Sequence, residues 1–461
     1  MTNACLPITI IALLAALAPA ADRPKPLTEA DVPYPPTLPN NAALVTDTSP
    51  DFLTPPDTLK PGVALAKTPP TIDFAFYPGQ TYPGKPWSNW GDGVTSPDGR
   101  YYSAIGDHLA IGPAGAGPHG PGNAFVFEYD PAAKSLRPLV NVAKTLNLPA
   151  GHYVPGKIHS RLDMGADGRL YFATHRGSEK AAADKNHYAG DWIFAADPKT
   201  GKTEVIAQGP VPKHSIPCSV LDPDRLIFYG GTAAGPDADV KGIQFFAYDI
   251  KAKKLLYAGP DGPGRYMILA RSTGRVYFAP GTAEGQLMRY DPATPGAAPA
   301  KVEDATMGIR AATRETPQGL VYAVSSGQGA PDATLWSLNV KTEEVRKLGP
   351  AAIGAEAYIA SIDADPTGRY LYYTPGAHGS GPRDNTPIVQ YDTKTNQKKV
   401  LAFLHPFYQA KYGFTPRGTF STALSPDGAT LFVTWNVSRN TRAWDCCALT
   451  AIHIPAAERQ P

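Results

Sequence analysis

The segment Gly165-Ala-Asp-Gly-Arg-Leu-Tyr-Phe172 decides the fold, because variants of it recur along most of the chain. Each variant is a polar turn, usually with Gly, followed by a short aromatic or β-branched run. Further copies occupy residues 95–102, 221–228, 271–278, 315–322, 365–372 and 425–432. Self-similarity at roughly 45–70 residues per unit indicates a repeat architecture rather than a single conventional core.

A second half-signature follows most copies and completes the repeating unit. Phe125-Val-Phe-Glu-Tyr-Asp130 and Phe245-Phe-Ala-Tyr-Asp249 are typical: a strand that ends at a turn and is followed by another short strand. Each unit therefore has four strands, here named A to D, as in one blade of a propeller. The sequence predicts an all-β, seven-bladed β-propeller with four-stranded blades.

The last unit lacks its fourth strand, and an unassigned strand at 71–77 precedes the first unit. We expect this N-terminal strand to complete blade seven and close the ring, which removes exposed sheet edges. A tandem of immunoglobulin-like sandwiches is the rival fold, but it would give independent domains of about 100 residues without the short period. The mature chain of ~440 residues is compatible with a repeat fold.

Three regions are predicted along the chain. Residues 1–20 read as a signal peptide, because the apolar run from Ile8 to Leu17 ends in Leu17-Ala18-Pro19-Ala20, an A-x-A-type cleavage pattern. Residues 21–70, rich in Pro, read as an extended arm, and 71–461 as the propeller. We expect a secreted or periplasmic protein that does not span a membrane, because no other run approaches ~18 apolar residues.

The net charge and the cysteine count exclude two classes of protein. The formal net charge of +2 gives no global basic field, so nucleic acid is not expected as a partner. After removal of the signal, Cys218, Cys446 and Cys447 remain. They are too few for a disulfide scaffold. Pairing of Cys218 with one of the other two and a buried, unpaired Cys218 are both open.

Ligands of propellers usually bind on the face that carries the D–A and B–C connections. His, Tyr, Arg and Lys gather at this predicted face, whereas Asp and Glu are scarce, which favours an anionic, hydroxyl-rich ligand. The candidate substrate-binding residues are Asn89, Trp90, His108, Arg176, Lys213, Arg265, Tyr266, Arg310 and Tyr358. The candidate acid–base residues at this face are His159, His175 and His214.

The stretch Lys157-Ile-His-Ser-Arg-Leu-Asp163, continuing through Asp167-Gly-Arg-Leu-Tyr-Phe-Ala-Thr-His175, resembles the seven-bladed propeller polysaccharide lyases. These include ulvan, oligogalacturonate and rhamnose-glucuronate lyases. The resemblance implies β-elimination at a uronic acid, in which His159 and His175 act as base or acid and as carboxylate partner. Tyr188 is the candidate complementary proton carrier, and His214 is a candidate for either task. Arg176, Lys213 and Arg265 are candidates for neutralising the carboxylate.

Two matters stay open at this stage. Some of these lyases hold a divalent metal, so calcium or zinc is conceivable here, although the later blades offer only His378 and His405 as histidine ligands. The alternative function is a non-catalytic propeller that binds carbohydrate or protein. A propeller lactonase would need acidic and amide metal ligands at the channel mouth, where this sequence supplies cations. We expect a monomer whose partner is an anionic polysaccharide or oligosaccharide.

Overall fold

The computed structural model describes residues 34–80, 87–108, 122–280, 284–439 and 446–460. Seven antiparallel strand sets form the blades of a propeller, which confirms the predicted fold class. The predicted signal peptide, residues 1–20, lies outside the described residues. No helix within the described ranges is both long enough and apolar enough to cross a bilayer.

The strands follow the chain in order, blade by blade. Three strands precede blade one: β1 (Val45–Asp47), β2 (Ala64–Leu65) and β3 (Thr71–Phe76). Blade one has β4 (Val94–Thr95), β5 (Tyr101–Gly106), β6 (Ala124–Asp130) and β7 (Ser135–Asn141). Blade two has β8 (Asp163–Met164), β9 (Leu170–Ala173), β10 (Trp192–Ala196) and β11 (Thr203–Gln208). Blade three has β12 (His214–Asp222), β13 (Ile227–Ala234), β14 (Phe245–Asp249) and β15 (Lys254–Gly259).

The remaining blades repeat this plan. Blade four has β16 (Ile268–Ala270), β17 (Arg275–Phe278), β18 (Gly285–Tyr290) and β19 (Ala300–Met307). Blade five has β20 (Ala311–Ala312), β21 (Leu320–Val324), β22 (Thr334–Asn339) and β23 (Val345–Pro350). Blade six has β24 (Ile362–Ala364), β25 (Tyr370–Tyr373), β26 (Pro387–Asp392) and β27 (Gln397–Phe403). Blade seven has β28 (Thr415–Leu424), β29 (Thr430–Ser438) and β30 (Cys446–His453), and two short helices, α1 (Val142–Leu146) and α2 (Phe407–Tyr412), lie in connections.

The N-terminal strand β3 closes the ring, as the sequence predicts. It pairs antiparallel with β30, with Thr71 opposite His453 and Phe76 opposite Ala448. Asp73 in this strand accepts a hydrogen bond from His453 Nε2 at 3.0 Å and one from Lys134 Nζ of blade one at 2.8 Å. Burial alone raises the pKa of Asp73, but these partners together with Thr46 lower it to about 2.

The segment before β3 packs on blades six and seven. β1 pairs antiparallel with β3 as a fifth strand of blade seven, and β2 pairs in parallel with β27 as a fifth strand of blade six. Between them Phe52 is fully buried, with its ring centroid 4.6 Å from that of Phe407. This burial anchors the segment to the ring.

The repeat motif forms the A–B turn of each blade. Gly168 in the copy of blade two has φ of 78°, a conformation that glycine adopts without the penalty of a Cβ atom. The aromatic residues after the turn are buried between blades; Tyr101 of blade one, for example, stacks on Phe432 of blade seven at 5.2 Å. The turn face is therefore structural, and the site must be sought at the opposite face.

Candidate functional site

Side chains from several blades meet at the mouth of the central channel, on the face that carries the D–A and B–C connections. Most of them lie just before an A strand or just after a B strand, and Phe420 lies within the A strand of blade seven. We call this group the throat cluster. It comprises Trp90, His108, Lys157, His159, His175, Arg265, Arg310, Tyr358, His378 and Phe420. Seven of its ten members were predicted site residues. Trp90, His108, Arg265, Arg310 and Tyr358 were predicted to bind substrate, and His159 and His175 to act as acid or base.

Blade two supplies the centre of the site. Lys157 and His159 are two residues apart in extended backbone, so their side chains share one face. Lys157 also forms an isolated backbone bridge with His175, at the exit of the next strand. The rings of His159 and His175 are consequently close, with centroids 5.3 Å apart and planes at 75°. The two predicted motif histidines are thus neighbours in the fold.

Trp90 of blade one holds these groups in place. Its ring stacks on Phe420 at 5.0 Å and on His159 at 5.7 Å. The ammonium nitrogen of Lys157 lies 4.7 Å from the same ring, a cation–π contact, and the indole N–H donates to Ser88 Oγ at 2.7 Å. Trp90 is therefore packed against protein groups, and its role is to fix the Lys157 and His159 side chains.

Hydrogen bonds define the tautomer of His159. The carbonyl oxygen of Pro217 lies 2.8 Å from Nδ1 and can only accept, so Nδ1 carries the proton. Nε2 then accepts from Nη1 of Arg265 at 3.3 Å. Burial, followed by the charges of Arg265 and Lys157, holds the pKa of His159 well below 6.5. The imidazole is neutral at pH 7, and its lone pair faces a guanidinium group.

His175 has the same electrostatic surroundings and fewer partners. Burial, then the charges of Lys157 and His159, keeps its pKa well below 6.5. Its Nδ1 atom is buried without a hydrogen-bond partner among the described residues. A buried polar atom of this kind usually has a partner, so Nδ1 is an available hydrogen-bonding group at the mouth.

The cations of the throat cluster lack acidic partners. Lys157, Arg265 and Arg310 form no ion pair with a carboxylate in the part of the chain that the structure describes. Burial, then the charges of Arg265 and Arg176, lowers the pKa of Lys157 to about 7. Arg310 instead donates from Nε to the hydroxyl of Tyr358 at 2.7 Å. The mouth therefore presents uncompensated positive charge.

A narrow cavity continues from the throat cluster into the channel. Its volume is about 20 Å³. Asp92 is the single carboxylate among the described residues that line it. Asp92 accepts hydrogen bonds from Tyr266 at 2.7 Å and from Ser361 at 2.5 Å, and burial raises its pKa to about 6. The channel is thus nearly filled by side chains below the mouth, and a larger ligand would have to bind above it.

Two predicted acid–base residues have their polar atoms engaged elsewhere. Tyr188 donates to Oδ2 of Asp191 at 3.0 Å and is buried, which raises its pKa strongly. His214 has Nδ1 2.8 Å from the Thr232 hydroxyl and Nε2 2.8 Å from the carbonyl oxygen of Val240. The structure therefore does not bring either side chain to the throat cluster, and both serve as packing and hydrogen-bonding groups in blades two and three.

Several of the predicted ligand-binding side chains lie outside the throat cluster. The amide of Asn89 is buried and donates to the backbone carbonyl of Ala104, so it joins chain segments within the ring. Tyr266 points into the channel toward Asp92 rather than to the mouth. Lys213 is paired with Asp184 at 2.9 Å.

Arg176 is likewise held by the protein. It donates from Nη1 to the carbonyl oxygens of Ala233 and Ala234 at 3.1 and 2.8 Å. The guanidinium group thereby links blade two to blade three. It contributes positive charge near the throat cluster while its hydrogen-bonding capacity is used in part by the backbone.

Sequence reasoning missed or underused several groups of the site. Lys157 was quoted within the lyase-like motif but not assigned a role; its spacing of two from His159 was the available signal. Phe420 and Asp92 were not identified, since an apolar and an acidic residue do not stand out among the channel-facing positions of a propeller. Asp191, which engages Tyr188, lies at the start of a C strand with no motif around it.

The opposite mouth of the channel has a different character. A cavity of about 290 Å³ opens there among the A–B turns. Arg161 lies 3.2 Å from Asp163, and Arg314 lies 3.7 Å from the same carboxylate. Charges at this face are therefore mutually paired, in contrast to the throat cluster.

The described residues offer neither a clustered set of metal ligands nor a disulfide involving Cys218. Within the described ranges, no group of three or more His, Cys, Asp or Glu side chains is arranged to hold a metal ion. Cys218 is buried and forms no disulfide among the described residues, which decides between the two alternatives for it; Cys446 and Cys447 are buried as well. Burial raises the pKa of the Cys218 thiol to about 12.

Comparison with known proteins supports the fold and goes no further. No protein-family model matches the chain, and no curated protein sequence matches it. Among solved structures, a chain of "Crystal Structure of Mitotic Checkpoint Complex" superposes with a TM-score of 0.51 at 12% identity, covering 87% of this chain and 97% of that one. "Structure of U3-55K" and "Crystal structure of RRP9 WD40 repeats" both give a TM-score of 0.46, at 11% and 10% identity, covering 80% and 81% of this chain and 96% and 100% of theirs. At 12% identity, the first of these superpositions supports a shared fold and nothing more.

Proposed function

We propose that the throat cluster is a binding site for a carboxylate-bearing carbohydrate. The observation that carries this proposal is the convergence of Lys157, Arg265 and Arg310 at one mouth without a described acidic partner. Cations in a half-buried concave site attract anions more strongly than exposed cations do, because solvent screening is reduced there.

Arg265 is the primary ligand contact in this proposal. Its side chain reaches the exposed mouth, and the hydrogen bond that its guanidinium group makes among the described residues is to a neutral imidazole nitrogen. A carboxylate offers two oxygens in the plane that a guanidinium fork matches, so binding would replace a weak contact by a charge-assisted pair. Lys157 would add charge from beside the Trp90 ring.

The test is calorimetric titration of short uronate oligosaccharides into the wild-type protein, with uncharged oligosaccharides of equal length for comparison. We expect binding of the charged series only. Arg265→Gln should weaken it by at least about tenfold, since hydrogen bonds to charged groups contribute about 1.5–3 kcal/mol. Arg271→Gln, on the opposite face where Arg271 pairs with Asp224, is the matched control. Equal affinity for charged and uncharged ligands would contradict the proposal.

Cleavage of the bound glycan is the second candidate function. It is favoured by the neutral His159 and His175 rings 5.3 Å apart beside Arg265. One imidazole would remove the C5 proton of the uronate. The C–H electron pair would form the C4–C5 double bond as the C4–oxygen bond breaks, and a proton would pass to the departing oxygen. Arg265 would stabilise the charge that builds on the carboxylate.

A continuous ultraviolet assay for the unsaturated product separates the two candidates. If the protein is a lyase, absorbance rises with substrate turnover, and His175→Ala abolishes the rise while binding is retained. If the calorimetric signal is present and no product forms from glucuronate, iduronate or galacturonate polymers, the protein is a binding propeller. Secretion stays a prediction in either case.

A further inference from the structure

The small cavity below the throat cluster lies on the axis of the ring. Its lining takes one side chain or more from every blade: Trp90, His159, Cys218, Arg265, Arg310, Ala360 and Phe420 in order around the ring. Its volume is about 20 Å³, and a site of roughly 10–15 Å³ already holds one water-sized particle. A sugar carboxylate is too large for it, so this cavity is a second site below the glycan site proposed above, and Arg265 belongs to both.

Positive charge dominates the lining. Three guanidinium groups, those of Arg161, Arg265 and Arg310, face one carboxylate, Asp92. Arg161 has a second acid within reach, Asp163 at 3.2 Å, so its charge is matched. The charges of Arg265 and Arg310 are not matched by an acid in this way among the described residues. Arg310 is only 5% exposed. A buried charge without a counter-charge is costly, so the buried Arg310, with Arg265 beside it in the lining, calls for an anion.

Two hydrogen-bond donors of the lining are unused. Ser219 is 4% exposed, and its Oγ atom has no hydrogen-bond partner in the part of the chain that the structure describes. The Nε atom of Arg161 is in the same position, because its contact with Asp163 lacks hydrogen-bond geometry. Buried polar atoms are nearly always satisfied. The Ser219 hydroxyl, which lines the cavity, therefore calls for a small acceptor there, whereas Arg161 Nε lies next to Asp163.

We propose that the axial cavity binds one monatomic anion of chloride size, held by Arg265, Arg310 and Ser219. A spherical anion accepts from several N–H and O–H donors at once without directional preference, which suits donors that arrive from different blades. A cation is excluded by the three guanidinium groups. The anion would neutralise the repulsion between Arg265 and Arg310, and would thereby stabilise the ring from its centre.

The direct test is diffraction from wild-type crystals grown in sodium bromide, with data collected at the bromine absorption edge. An anomalous peak inside the cavity, between Arg265 and Ser219, is the expected result. A cavity that holds only a water-sized density without anomalous signal would overturn the proposal. Because this experiment uses the unaltered protein and no glycan, its outcome is independent of the proposed function.

Thermal unfolding supplies the solution test. In sodium chloride the midpoint should rise saturably relative to sodium methanesulfonate at equal ionic strength, because a ligand bound only to the native state stabilises it by mass action. Methanesulfonate carries no carboxylate and is too large for the cavity. Arg265→Gln and Ser219→Ala should reduce or remove the chloride-specific rise, whereas Arg271→Gln should keep it in full. Superimposable chloride and methanesulfonate curves for the wild type would contradict the proposal even if a cavity variant failed to fold.

Discussion

The Nε2 atom of His159 accepts a hydrogen bond from Nη1 of Arg265 at 3.3 Å, while Nδ1 of the same ring donates to the carbonyl oxygen of Pro217. The imidazole is therefore fixed in one tautomer, and its basic lone pair is covered by a cation. A ligand carboxylate that draws Arg265 toward itself would uncover that lone pair. Anion binding and the appearance of a base at the channel mouth would thus be linked through one side chain.

The first prediction concerns the charge of the two throat histidines. Burial and the neighbouring cations lower the pKa of both His159 and His175, so neither ring should titrate near the ordinary value of 6.5. Nuclear magnetic resonance of 15N-labelled histidine would follow each ring between pH 5 and pH 8, with His159→Gln and His175→Gln used for assignment. Arg265→Gln should raise the pKa of His159, since it removes the second-largest cause of the shift. A wild-type midpoint near 6.5 for His159 would refute this account of the site.

A second prediction follows for Lys157. Burial and the charges of Arg265 and Arg176 lower its pKa to about 7. The ammonium group should therefore lose its proton at a much lower pH than that of an ordinary lysine. The Cε chemical shift of 13C-labelled lysine should show one resonance with a midpoint near pH 7, absent in Lys157→Arg. In Arg265→Gln this midpoint should move upward. Titration of every lysine above pH 9 would contradict the lowered pKa of Lys157 and the positive environment that causes it.

The propeller fold could be predicted from the sequence because the motif that indicates one blade occurs seven times. Each A–B turn is a local structure set by turn residues, and seven copies leave little freedom in how many blades form. Ring closure by 71–77 followed from the missing strand of the last unit. The site was accessible only in part: position along a blade predicted that His159, Arg265 and Arg310 face the mouth, but it did not reveal their partners.

Tyr188 and His214 illustrate why the rest was out of reach. Tyr188 lies in a connection on the correct face and His214 at the first residue of β12, and the sequence analysis assigned acid–base roles to both. In the fold Tyr188 meets Asp191, and the ring of His214 meets Val240, 26 residues further along the chain. Such pairings depend on how loops from adjacent blades pack, and a single sequence does not encode them as a pattern.

The third prediction concerns the buried Asp191. Hydroxyl groups of Thr174, Tyr153 and Tyr188 donate to it, yet burial outweighs them and raises its pKa to about 7. Between pH 4 and pH 7 the folded state then binds more protons than the unfolded state, so Asp191 lowers stability as pH rises, by at most about 1.4 kcal/mol per pH unit. Above pH 7 the effect is constant.

Asp191→Asn tests this directly. The free energy of unfolding of the variant relative to wild type should increase from pH 4 to pH 7 and level off above, as measured by urea denaturation at each pH. The exposed Asp57→Asn is the control and should give a difference that does not follow this profile. A pH-independent difference for Asp191→Asn would mean that Asp191 is ionised throughout.

The last prediction concerns ring closure. Phe74 on β3 is fully buried and contacts Tyr408 and Phe414, with ring centroids 5.0 and 4.6 Å away. Phe74→Ala leaves a cavity between the closing strand and α2, and should lower the free energy of unfolding by about 3–5 kcal/mol. Val45→Ala on β1, the outer fifth strand of the same sheet, removes fewer buried atoms and should cost roughly 1 kcal/mol or less.

Chemical denaturation of both variants would show whether β3 holds the ring closed or only packs on its surface. If β3 holds the ring shut, Phe74→Ala loses stability in the single cooperative transition of the whole propeller, since blade one and blade seven separate when the strand detaches. If β3 merely lies on the ring, a small early transition appears and the main one keeps the wild-type midpoint. The 3.0 Å contact of Asp73 with His453, together with the link from Asp73 to Lys134 of blade one, favours the first result.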